Sequence, residues 1–225
     1  MLMPGLDGTG ELFDGLREQL PAELDVAVVR YPHDQNLGYS ELRRFVVSAI
    51  EGATAVVLFA ESFSSPLAIE MAANGSDNFA GVVLCAGFAA APVSSFARML
   101  LRRVKPFSFQ PPDWIVRHFL VGPQAPETLV KQVKRTINSV PPHILEFRLN
   151  QILECSALQA MAEVSAPTLY IQGTADRLVA SSALKEIEHA NSKVVCNRVE
   201  GPHLLAQANP SGVATAVLNF LQTLA

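Results

Sequence analysis

A mostly parallel α/β sheet of about six strands, flanked by helices and interrupted by one inserted helical cap, is the fold class that this sequence of 225 residues predicts. Three observations carry it. Short β-rich runs alternate with helix-compatible runs, the rhythm of parallel strands joined by crossover helices. The interior runs "AVVLF", "GVVLC" and "TLYIQ" are continuously apolar rather than alternating, as strands covered on both faces must be. The rhythm stops between residues 92 and 165, where helix-like segments are separated by prolines in "KPFSFQPPD", "VGPQAPE" and "SVPPH".

Taken in order, the chain opens with a strand at 2–3 that runs into the glycine-rich loop "MPGLDGTG". A helix over 12–20 and a strand over 25–31 follow, then a helix over 40–50, whose apolar positions recur at helical spacing. The run "AVVLFA" makes a strand over 55–59, and "SPLAIEMA" makes a helix over 66–73 with proline in its first turn. Strands over 81–86, 168–172 and 193–199 and helices over 181–190 and 212–224 complete the alternation. Residues 1–91 and 166–225 therefore form one core, and residues 92–165 an insertion. Within the insertion Phe96, Met99, Leu100 and Val104 share a helical face, as do Leu129, Val133 and Ile137, and Leu145, Leu149 and Ile152. The insertion leaves and re-enters between strands at the sheet's carboxyl edge. Its underside is expected to roof whatever site lies there, with Met99 and Leu149 as substrate-binding residues.

Composition narrows the function classes. The chain carries 17 Lys and Arg against 21 Asp and Glu, a net charge of −4, so it lacks the basic excess that phosphate backbones require, and no nucleic-acid partner is expected. The insertion alone is basic, with nine Lys and Arg against five Asp and Glu. Cys85, Cys155 and Cys196 have no metal-ligand spacing and read as free thiols in a reducing compartment. No apolar run approaches the length of a membrane span and no export signal is visible, so a cytoplasmic protein without a transmembrane segment is expected. The histidines form no H-E-x-x-H or paired Cys/His pattern, so neither metal nor cofactor is expected.

The chemistry gathers at strand ends. Ser62, in "AESFS", lies in a sharp turn between an apolar strand and a helix, where a serine is held up in a strained conformation beside the small residues Ala60 and Ser64. Asp176, in "GTADRLV", and His203, in "GPHLLAQANP", each follow the end of another strand. The order serine, aspartate, histidine supplies a nucleophile, a carboxylate to orient the imidazole, and the base itself, all at the edge where open α/β sheets bind ligands. The glycine-rich loop supplies unobstructed backbone N–H groups for a developing oxyanion, and the amides of Leu6 and Phe63 are its expected donors. Gly5 and Gly10 have the spacing of a phosphate loop, but Glu11 stands where that loop needs lysine. Asp7 is expected to fix the loop through local hydrogen bonds. Glu61 reads as structural or rim-forming.

These four motifs resemble those of the α/β-hydrolase superfamily, over nearly the whole chain. Within it the sequence looks like compact bacterial serine hydrolases of the carboxylesterase kind with a helical cap; similar "PGLDGTG" openings occur in plant plastid acyltransferase relatives. Ala60 and Ser64 stand where the family's elbow usually has glycines, and the antiparallel strands that usually precede the oxyanion strand are missing. The resemblance implies a serine esterase that acts on small-molecule esters with short- to medium-chain acyl or small apolar groups, through an acyl-enzyme. An acyltransferase, a thioesterase, a cofactor-free perhydrolase or a non-catalytic ligand-binding protein would keep the same residues. Spacing fixes neither the ester nor the oligomeric state.

Overall fold

In the computed structural model, which describes residues 1–74, 79–93, 106–108 and 110–224, five strands form one sheet. They are β1 (Leu2–Met3), β2 (Val56–Glu61), β3 (Phe79–Cys85), β4 (Thr168–Gly173) and β5 (Val195–Val199), all parallel and in sequence order across the sheet. The expected strand over 25–31 is reduced to a single parallel bridge between Leu2 and Val28. Two bonds hold it: Leu2 N–H donates to Ala27 O at 2.8 Å, and Val29 N–H to Leu2 O at 2.9 Å. The reason lies in the partner. β1 is two residues long and is followed at once by Pro4, so it offers no further ladder to pair with.

The continuous apolar runs divide between the two faces by strand periodicity. Leu58, Ala60, Val82, Leu84 and Tyr170 join one buried cluster, whereas Phe59, Val83, Cys85, Leu169 and Ile171 join another. Helix α1 (Asp14–Arg17) contributes Leu16 to the second face. Helices α2 (Tyr39–Ala49) and α3 (Ser65–Ala73) cover the first with Leu42, Val46, Leu67 and Ile69. The helix expected over 12–20 shrinks to a 3₁₀ turn at Glu11–Phe13 plus α1, in keeping with Pro21, which disfavours a helical residue before it.

Between β3 and β4 the described part of the insertion is helical. A helical stretch from Asp113 ends in a π-helical turn, Val116–Val121; α4 (Glu127–Ser139), α5 (Pro142–Glu154) and α6 (Leu158–Glu163) follow. Prolines 126, 141 and 142 stand at the starts of α4 and α5, where a missing N–H costs nothing. Met161 of α6 packs with the first-face core, as do Leu184 and Ile187 of α7 (Ser182–Ala190). The short α8 (Leu205–Ala208) and the C-terminal α9 (Pro210–Gln222) close the second face through Leu205, Val213 and Phe220. Among the described residues no helix is long and apolar enough to cross a membrane.

Candidate active site

Ser62 follows the last residue of β2 directly and begins the 3₁₀ turn Ser62–Ser64 that leads into α3. Its φ is +46°, a left-handed value that a non-glycine residue adopts only when its surroundings enforce it. The enforcement is visible on both sides. Phe63 is fully buried, with its ring 5.0 Å from that of Tyr39 and 6.2 Å from that of Tyr31. Ser64, also fully buried, donates its hydroxyl to Pro4 O at 2.5 Å and accepts the Tyr31 hydroxyl at 2.7 Å. Ser64, where the resembled elbow usually has glycine, thus ties the turn to the loop after β1 through its hydroxyl.

Asp176 and His203 come from the loops after β4 and β5. The two loops are joined by backbone bonds from Thr174 N–H to Val199 O at 3.0 Å and from Ala175 N–H to Gly201 O at 2.9 Å. They approach so closely at Gly173 that a methyl group there would sit 2.7 Å from Pro202 O, which is why β4 ends in glycine. The consequence is an unbroken chain of side-chain bonds. His203 Nε2 lies 2.9 Å from Ser62 Oγ, and His203 Nδ1 lies 2.9 Å from Asp176 Oδ2. The remaining Asp176 oxygen, Oδ1, accepts the N–H groups of Leu178 and Val179 at 2.8 and 3.0 Å, which fixes the carboxylate's plane. The side chains of His203 and Asp176 are both nearly buried, so their bond is made out of water's reach.

The glycine-rich loop crosses beside Ser62. Asp7 Oδ1 accepts both the N–H and the hydroxyl of Thr9, as a local clamp should. Leu6 N–H has no acceptor among the described residues, and Phe63, at the start of its turn, has none within the helix. The loop's carbonyls face the other way, toward a residue that the sequence reading missed. Arg148 of α5, 2 % exposed, donates to Leu6 O at 3.0 Å, Asp7 O at 2.6 Å and Pro32 O at 2.8 Å. Burial lowers its pKa, and the nearby Asp7 opposes that shift. A side chain at Gly8, whose φ is +71°, would collide with this guanidinium.

Of the two readings of Glu61, structural or rim-forming, burial leaves the structural one. It is 1 % exposed and belongs to no rim: burial pushes its carboxyl up to about 7, a shift that the amide of Gln207 partly offsets. Of the expected substrate-binding residues, Leu149 lies half-buried on α5, and Met99 falls outside the described residues, as do Phe96, Leu100 and Val104. The face of α5 that is buried carries Ile144, Leu145, Arg148 and Leu153 rather than Leu149. Among the described residues no group of His, Cys, Asp and Glu is arranged to hold a metal ion. A groove of about 1010 Å³ lined by Arg43, Arg44, Val47 and Phe79 opens at the amino end of the strands, away from Ser62.

No protein-family model and no curated protein matches the sequence. Solved structures do match the fold. The bromoperoxidase from Bacillus anthracis superposes with a TM-score of 0.83 at 15% identity, covering 98% of this chain and 90% of its own. An esterase from Exiguobacterium antarcticum gives 0.83 at 11% identity, with 98% and 90% covered. A thermophilic esterase from Thermogutta terrifontis gives 0.77 at 17%, with 99% and 89% covered. With the strand order, the elbow and three such superpositions in hand, the chain has the α/β-hydrolase fold.

Proposed function

We propose that the protein is a serine hydrolase that cleaves carboxylic esters through an acyl-enzyme. One observation carries the reading: a strained Ser62 whose Oγ is 2.9 Å from His203 Nε2, with His203 Nδ1 held at 2.9 Å by Asp176. Ser62 Oγ attacks the ester carbonyl as His203 takes its proton, and the imidazolium that forms is stabilised by Asp176. The amides of Leu6 and Phe63 receive the negative charge on the carbonyl oxygen. His203 then protonates the departing alcohol and draws a proton from water, which releases the acid and restores Ser62. Hydrolase and esterase neighbours of the same fold are consistent with this chemistry. The insertion between β3 and β4 would act as the cap, with Leu149 facing the acyl chain.

The test is a panel of esters and thioesters of graded chain length, run on the parent protein and on Ser62→Ala, with a fluorophosphonate probe alongside. Ester turnover and labelling that both vanish in Ser62→Ala are the expected result. Turnover that survives in Ser62→Ala overturns the reading.

A further inference from the structure

Behind the nucleophile sits a carboxyl group that the proposed reaction does not use. Glu61 lies beside the backbone N–H of Gly5, at the root of the oxyanion loop, and its Oε2 accepts the amide Nε2–H of Gln207 at 3.3 Å, from α8 just beyond His203. The other two oxygens of this pair are anomalous. Glu61 Oε1 and Gln207 Oε1 are both buried and both lack a hydrogen-bond partner among the described residues. Two orphaned acceptors on groups already in contact are costly, because each was stripped of water without gaining a donor. The groups facing Glu61 offer no compensating permanent cation: Asp7 from the oxyanion loop, His203 from the loop after β5, and the Cys85 thiol across the sheet from β3.

We propose that Glu61 is a positioning residue held as the neutral carboxylic acid, its Oε1 proton shared with Gln207 Oε1 in a cyclic acid–amide pair that locks the oxyanion loop to the histidine loop. One proton on Glu61 supplies the donor that the pair lacks, and shared with Gln207 Oε1 it satisfies both orphans at once. The carboxyl's rise to about 7 through burial agrees with this. Ionisation breaks the pair and sets an anion between the two loops whose spacing the reaction depends on. The effect on turnover rests on the serine-hydrolase reading above; the protonation does not.

The sign of the linked stability follows from the raised value. The folded protein binds the proton more tightly than the unfolded chain does, so the stabilisation is complete below the ordinary glutamate value of 4.5 and is lost as pH rises through about 7. Glu61→Gln mimics the neutral acid, with an N–H in place of the O–H; Glu61→Ala removes the carboxyl and leaves the Gln207 amide unpaired.

The experiment compares the parent with these two variants by infrared difference spectroscopy, by melting from pH 5 to 8, and by fluorophosphonate labelling and ester turnover at about pH 6. Expected are a protonated-carboxyl C=O band in the parent that Glu61→Gln lacks, and a melting advantage of Glu61→Gln that grows as pH rises from about 5 to about 7 and levels off above it. Turnover in Glu61→Gln should stay within about threefold of the parent, and in Glu61→Ala fall by about tenfold or more. Absence of the band, or a folded Glu61→Gln as impaired at about pH 6 as Glu61→Ala, overturns the proposal. A parent that shows the band and the melting trend but neither labels nor hydrolyses esters supports the protonated pair and defeats the serine-hydrolase reading.

Discussion

Ser62 holds its φ of +46° at a cost of order 1–3 kcal/mol, and that strain aims Oγ at His203 rather than into the turn. Replacing the side chain separates the two effects. Ser62→Ala and Ser62→Gly should both lose ester turnover by several orders of magnitude, but only glycine relieves the backbone. The glycine variant should therefore be more stable than the alanine variant by about 1 kcal/mol in denaturant unfolding. Asp176 acts at one remove. Asp176→Asn keeps an oxygen for one of its partners but no longer imposes the tautomer of His203, so turnover should fall by about 10⁴ while binding of a non-hydrolysable ester analogue changes little. A fully active Asp176→Asn would send the search to another carboxylate. The grouping of these three residues was legible in the sequence for a common reason: each lies at or shortly beyond the carboxyl end of a strand. Arg148 and Gln207 were not legible. The partners of Arg148 are backbone carbonyls in "GLDGTG" and "YPHDQ", and a contact with the main chain leaves no pattern of side-chain types to read.

At the level of elements, the oxyanion loop has no regular structure of its own and is shaped by its neighbours. The elbow holds the Pro4–Gly5 peptide through Ser64 Oγ on its carbonyl, with Glu61 beside its N–H. Helix α5 holds the carbonyls of Leu6 and Asp7 through Arg148, which leaves Leu6 N–H turned away from them. Lysine at position 148 keeps the charge but cannot span acceptors in two segments with a rigid fork. Arg148→Lys should lower kcat by roughly tenfold with little change in KM, because the misplaced amide is one that matters only as charge develops. A purely structural arginine would give a lower melting temperature and an unchanged kcat in the folded fraction. The sequence led to the loop but placed the inward stripe of α5 on Leu145, Leu149 and Ile152. The stripe that forms includes Ile144, Leu145 and Arg148, because the helix turns its one arginine toward carbonyls that need donors.

For the molecule as a whole, the question is whether the insertion is a loose lid or a fixed wall, and the contacts of its described part favour the wall. Val140, Ile144 and Leu145 pack with Leu6 of the oxyanion loop. Val116, Val121, Val130 and Val133 pack with Leu12, after that loop, and with Leu204, beside His203. A backbone bond from Leu204 N–H to Leu120 O at 2.9 Å fastens the π-helical turn to the histidine loop. The chain returns to the core through a bridge between Ala90 and Ser156 and a bond from Ala157 N–H to Ala89 O at 2.6 Å. These attachments all touch the carboxyl edge of the sheet, so residues of the insertion fall into two classes with different outcomes. Ile144, 1 % exposed, serves packing, and Ile144→Ala should destabilise the protein by about 2–5 kcal/mol and leave the preference among ester chain lengths unaltered. Leu149, half-buried and outside the stripe that packs inward, has surface to offer a substrate. Leu149→Ala should enlarge the acyl site and favour longer chains, shifting discrimination by about 1–3 kcal/mol per methylene in kcat/KM, with little loss of stability. The measurement is a chain-length series of esters on both variants. If Leu149→Ala keeps the parent's profile while Ile144→Ala alters it, the wall faces the substrate with its packed stripe, and the acyl site must be sought along α5 on the side of Ile144.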